Sequence, residues 1–210
     1  MTTKTIILDL DDTIFRTKSM DAKIFEPFFN HLTFTLKAYF DQNVITEIIT
    51  DLWQLPIDVV IKKYQIPLTS IKESIGLLKH LDLKLEISTY EDYAFIKKMQ
   101  TQKILVTTGF TVLQKAKIKA LKIENDFDKI VINDTLIEAK TKQDVFDELT
   151  REFNLIPQLT YVIGDNCDSE IKAGNALNFM TIQILRDQVI KGDIAKHYIK
   201  SFEELDLIIK

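Results

Sequence analysis

Two carboxylates near the start of the chain, Asp9 and Asp11, follow the apolar run Ile6-Ile7-Leu8, where a buried strand should end and a loop begin. Alternate residues of a strand share a side, so both carboxylates can face one way. In an open parallel sheet that is where ligands bind, outside the carboxyl ends of the strands. A carboxylate buried alone is costly, and two together ask for a cation. An Asp-rich turn that merely caps a strand would contain the same residues, so the rest of the chain has to decide between the two readings.

Three later segments add to the set. Ile104-Leu105-Val106 runs into Thr107-Thr108-Gly109, and hydroxyls with free backbone N–H groups at a strand-to-helix turn make a phosphate cradle. Lys140, just before a helix expected from near Gln143, can offer a positive charge to an anion. Tyr161-Val162-Ile163 ends in Gly164-Asp165-Asn166-Cys167-Asp168-Ser169-Glu170. Three acids at the mouth of a buried strand repel one another unless a divalent ion holds them. Oxygen ligands favour Mg²⁺, which takes one or two carboxylates and keeps room for water and phosphate. Cys167 has no evident cation to activate it, and His31, His80 and His197 have no metal-ligand spacing.

The elements that must position these groups can be read from patterning. Five apolar runs of strand length are evident, Thr5–Leu10, Lys103–Thr108, Lys129–Asn133, Thr160–Gly164 and Met180–Leu185; runs apolar on successive residues mark strands buried on both faces. Between them lie helical spacings, such as Leu113, Ala116 and Ala120, or Val145, Phe146, Leu149 and Phe153. Alternating strand and helix means parallel βαβ units. Residues 17–85 break the alternation with amphipathic helical pattern only, punctuated by Pro56 and Pro67. This predicts an α/β core of residues 1–16 and 86–210 with a small helical unit inserted after the first strand. Its aromatic residues, among them Phe25, Phe28, Phe29 and Trp53, are expected mainly in that unit's own core.

Composition narrows the classes of function. With 210 residues, 46% hydrophobic and 28% charged, the chain has the composition of a globular protein. A net charge of −4 offers no broad basic surface for a nucleic-acid backbone. A single cysteine excludes an internal disulfide framework and suits a reducing compartment. No run of ~18 apolar residues suggests a membrane span, and a cytoplasmic location is expected.

Together these segments resemble the haloacid dehalogenase superfamily of phosphohydrolases. Asp9-Leu10-Asp11-Asp12-Thr13 is similar to its first signature, Asp-x-Asp-x-Thr; Val106-Thr107-Thr108-Gly109 to the second; Lys140 ahead of Asp144-Val145-Phe146 to the third; Gly164-Asp165 with its downstream acids to the fourth. The resemblance implies a Rossmann-like parallel sheet flanked by helices, with residues 17–85 as a helical cap. It implies a Mg²⁺-dependent phosphatase acting on a small phosphorylated metabolite. Asp9 would be the nucleophile that forms an aspartyl-phosphate, and Asp11 the acid and base. Thr107, with Thr108 beside it, and Lys140 would hold the phosphoryl group. Asp9, the Asp11 carbonyl and Asp165 would hold the metal, with Asp168 or Glu170 completing its shell. The third-signature lysine is usually followed by proline, whereas Thr141 and Lys142 follow Lys140, which keeps Lys142 open. Phosphomutase and 2-haloacid dehalogenase activities belong to the same superfamily, and a non-catalytic regulatory member is the rival from another class. Halide leaves without a proton, so Asp11 favours phosphoryl transfer over dehalogenation.

Overall fold

The computed structural model describes residues 4–209 apart from Gln54, Pro56, Leu81 and Asp82. Pro56 as a helix start, and the side chains of Ile75, Leu78 and His80, therefore lie outside the described residues. Strands β1 (Thr5–Leu8), β2 (Gln102–Thr108), β3 (Lys129–Asn133), β4 (Thr160–Gly164), β5 (Met180–Ile184) and β6 (His197–Ile199) form one sheet in the order β3-β2-β1-β4-β5-β6. Every pairing is parallel. The five strands expected from the apolar runs are present, β3 and β4 with the expected bounds and the other three with one end shifted by a residue or two. The sixth was missed, because three residues with half-buried His197 and Tyr198 leave no apolar run.

Strands β1 and β4 are buried throughout. Their two faces feed two cores: Ile6, Leu8, Leu105, Ile163 and Ile182 on one side, Ile7, Ile104, Val106 and Val162 on the other. The second side is covered by α7 (Lys142–Phe153) through Val145, Phe146 and Leu149. That helix starts where the Thr141 hydroxyl and the Asp144 carboxylate bond each other's backbone N–H, a reciprocal cap that satisfies two otherwise orphaned donors.

Between β1 and β2 the chain is helical: α1 (Glu26–Leu36), α2 (Gln42–Leu52), α3 (Ile57–Tyr64), α4 (Leu68–His80) and α5 (Tyr93–Lys98). The first four and the residues flanking them share a separate apolar cluster of Phe25, Phe28, Leu32, Leu36, Ile45, Ile48, Val60, Ile66 and Ile71. Helix α6 (Thr111–Leu121) follows β2, α8 (Lys172–Ala176) follows a wide turn after β4, and α9 (Leu205–Ile208) ends the chain. In α6 the buried face is Gln114, Lys117, Ile118 and Leu121, not the expected stripe of Leu113, Ala116 and Ala120. Two polar side chains lie inside because they meet Asp11. Among the described residues no helix is long and apolar enough to cross a membrane.

Candidate active site

The strand order reverses direction between β1 and β4, and a parallel sheet opens a crevice at that switch point. Asp9 follows β1 there, its N–H donating to the Ile163 carbonyl at 3.0 Å, and Asp165 follows β4. Asp9, Asp165 and Glu170 each present a carboxylate oxygen within 4.8 Å of the others. Glu170 reaches this point because its carboxylate folds back to accept the Asn166 N–H at 2.7 Å. Gly164 makes room for it: a Cβ there would stand 2.2 Å from Glu170 Oε1.

One cation enters the cluster. Lys142 is buried and donates to Asp9 Oδ1 at 2.5 Å and to Glu170 Oε2 at 2.8 Å. Lys140, favoured from its place ahead of Phe146, instead pairs with Glu138 and Glu148 at 2.9 and 2.7 Å. The cap of α7 explains the correction. Lys142 is the first residue of the helix, and helical side chains lean toward the helix N-terminus, here toward Asp9. Lys140 precedes the cap and turns away. Asp168 is corrected too: it is exposed, outside the carboxylate cluster, with its N–H on the Asn166 side chain. Of the two, Glu170 joins the carboxylate cluster.

Three carboxylates against one ammonium leave an excess of negative charge. Burial pushes the Asp9 carboxyl up to about 7; Lys142 opposes this, while Glu170 and Asp11 add to it. Burial, then Glu170 and Asp9, push Asp165 up to about 8. Burial works against the Lys142 ammonium, but Asp9 and Glu170 outweigh it and hold Lys142 above the usual lysine range. Converging oxygens with surplus charge fit a hard divalent cation.

Asp11 faces a second set of groups. Its carboxylate accepts from Lys117 Nζ at 2.6 Å, Gln114 Nε2 at 2.8 Å and Thr17 Oγ1 at 3.3 Å. Burial would raise its carboxyl, but the Lys117 ammonium and these hydrogen bonds prevail and hold it below the ordinary range. Gln114 Nε2 also lies on the buried Thr107 hydroxyl, so one amide ties the end of β2 to Asp11. Thr108, half-buried, lines the neighbouring cavity. Apolar spacing does not reveal Gln114 and Lys117, which are polar and yet buried. A glutamine and a lysine spaced three apart, downstream of Thr107, were the available signal.

The loop that carries Asp11 is braced from outside. Asp12 takes a left-handed backbone, φ 50°, and its carboxylate accepts from the Thr17 N–H and from Gln188. Buried Arg186 donates to the Thr13 carbonyl at 3.0 Å and grips Asp92 with two nitrogens. Thr13 donates to Asp165 at 3.3 Å. Arg16 pairs with Asp187 at 3.7 Å at the surface. His31 bonds Ser74 at 2.7 Å between helices, and burial raises the Cys167 thiol.

A family model for haloacid dehalogenase-like hydrolases matches residues 3–178, and the chain belongs to that family. Comparison with curated proteins gives no match. Among solved structures, the fold is shared with a haloacid dehalogenase-type phosphatase from Thermococcus onnurineus, at 17% identity and a TM-score of 0.66, covering 98% of this chain and 97% of that one. Magnesium-bound YfnB from Bacillus subtilis shares it at 14% identity and a TM-score of 0.65, with both chains covered completely. CbbY from Rhodobacter sphaeroides, solved with phosphate, does so at 16% identity and a TM-score of 0.58, over 97% and 96% of the two chains.

Proposed function

We propose that this chain is a divalent-metal-dependent phosphatase that hydrolyses a small phosphorylated metabolite through an aspartyl-phosphate on Asp9. The observation that carries the reading is the meeting of Asp9, Asp165, Glu170 and Lys142 at the switch point, with Asp11 beside them. Hydrolysis of a phosphate monoester is very slow unaided, so positioning and charge neutralisation must supply most of the acceleration. Asp9, Asp165 and Glu170, with the Asp11 carbonyl, would hold Mg²⁺, which neutralises charge between anionic nucleophile and anionic ester.

Asp9 attacks phosphorus, the P–O bond to the leaving group breaks, and the leaving oxygen takes a proton from Asp11. Water then attacks the aspartyl-phosphate, giving its proton to Asp11, and inorganic phosphate departs. Lys142 and the Thr107 hydroxyl hold the transferring oxygens. Lys142 favours the ionised, nucleophilic form of Asp9 against the effect of burial. The pairing of Asp11 with Lys117 suits the base half of the cycle; for the acid half Asp11 must first take up a proton from solvent, which requires bound substrate to draw it away from that lysine. Helices α1–α4 act as a cap that covers the leaving group and excludes water.

The test is phosphate release from a panel of esters with Mg²⁺ and then with chelator. Metal-dependent release from at least one ester, lost in Asp9→Asn, is expected. No release from any ester would sink the hydrolase reading.

A further inference from the structure

Resting on the hydrolase reading, we infer that the leaving group of the substrate carries a flat, uncharged ring and no second anionic group. A cavity of about 280 Å³ opens beside Asp11, on the side where the leaving oxygen would collect its proton. Its outer wall is aromatic. Phe25, Phe28, Phe29 and Trp53 line it from the helical unit, joined by Phe110 and Leu113 from the start of α6. Phe29 and Trp53 lie 5.1 Å apart between ring centroids at 34°, and Phe25 meets Trp53 edge-on at 5.5 Å and 87°. Trp53 keeps 41% of its surface exposed at this place, although Phe25 and Phe28 are buried. An apolar ring inserted there would gain both stacking and area burial.

The charges of the cavity exclude other bodies. Lys117 is the sole cation among the described residues that line it, and it is committed to Asp11 at 2.6 Å. Asp134, also on the lining, holds the N–H and hydroxyl of Thr111 at 2.8 and 3.0 Å. A second phosphate or a carboxylate would meet no available cation and two acids. A polyol would meet Thr108, Gln114, Asp134 and Thr135 on the core side but little on the other. Beyond Thr17, which donates to Asp11, the described lining residues from the helical unit offer one hydrogen-bonding side chain, the Trp53 indole. Hydroxyls left unpaired in such a wall cost binding. The volume is near the lower end for small-molecule sites, which suits one ring on a short stem.

The experiment compares kcat/KM with Mg²⁺ for phenyl phosphate, uridine 5′-monophosphate, glycerol 1-phosphate and fructose 1,6-bisphosphate. Either ring ester is expected at least ~10-fold above glycerol 1-phosphate and the bisphosphate, by the ~1–3 kcal/mol typical of ring stacking. A lead for uridine 5′-monophosphate makes the ring a nucleobase and a lead for phenyl phosphate makes it an aryl group; either supports the proposal. Trp53→Ala is expected to shrink the ring preference several-fold, mainly through KM, and Phe29→Leu to do so in part. The protein has one tryptophan, so its fluorescence reports on this cavity without turnover. Benzylphosphonate, which cannot be hydrolysed, should quench it saturably. Equal or better rates for glycerol 1-phosphate, with no quenching, would overturn the ring site while leaving the hydrolase reading intact. Quenching without release of phosphate from any ester would keep the ring site and remove the hydrolase.

Discussion

Around the end of β1, Asp9, Asp11 and Glu170 each have a lysine ammonium within 2.8 Å, whereas the side of the neighbouring cavity that the helical unit lines is mostly aromatic and aliphatic. The first region is held by charge against charge and is costly to disturb, because a buried partner left alone keeps its desolvation penalty. The second is held by area and shape, which tolerate exchange. A cleft with both can fix the reacting group while leaving selectivity to the wall.

The contrast predicts where substitutions hurt most. Asp9→Asn should lower turnover by at least ~10⁴-fold with every ester, as loss of a nucleophile does, and steady-state assays on purified protein measure it. Next comes the pair of lysines. Lys142→Met should cost ~10²–10³-fold in kcat through the lost charge, while Lys140→Met, which touches only half-exposed carboxylates, should stay within about two-fold of the parent. The reverse ranking would return the phosphoryl-binding role to Lys140.

Gly164→Ala tests the geometry of the carboxylate cluster without removing a charge. The new Cβ would displace the Glu170 carboxylate, so the Mg²⁺ concentration for half-maximal activity should rise ~10–100-fold, as for other disturbed ligand supports. An unchanged metal requirement would place Glu170 outside the metal site.

The smallest effect is on stability. In the metal-free folded protein, burial and the neighbouring carboxylates push Asp9 up to about 7 and Asp165 up to about 8, from an ordinary 3.8. Between those values the folded state binds more protons than the unfolded one, so stability falls as pH rises. With chelator present, the melting temperature should drop from pH 5 to pH 8, and added Mg²⁺ should restore more of it at pH 8 than at pH 5. A gain of equal size at both pH values would show that the cluster is not the binding site.

The charged region was largely legible in the sequence, and the reason is geometric. Asp9, Asp11, Thr107 and Asp165 stand at the ends of apolar runs, and the end of a buried strand is a place that composition alone can locate. Lys142 was harder, since Lys140 and Lys142 differ only in their side of a helix cap, which depends on Thr141 and Asp144 acting together. Gln114 and Lys117 were hidden because their burial is decided by Asp11, about a hundred residues away in sequence. The aromatic wall was hidden for a different reason. Phe25 and Phe28 do belong to the core of the helical unit, as expected, yet they line the cavity as well. Periodicity identifies an apolar face but not what packs against it. Short β6 and the Arg186 clamp on Asp92 likewise arise from tertiary contacts with no local pattern.

The central claim is that Asp9 is esterified during turnover. It is tested most directly by running many turnovers with a competent ester in H₂¹⁸O, digesting the protein and weighing the peptide that contains Asp9. Attack of water on phosphorus returns unlabelled oxygen to Asp9, so the label should appear in released phosphate and be absent from the peptide, while rapid acid quenching during turnover should trap that peptide about 80 Da heavier, the mass of one phosphoryl group on the nucleophile. Sustained release of phosphate with no trapped adduct on the Asp9 peptide, under conditions where Asp9→Asn still turns over, would contradict the account.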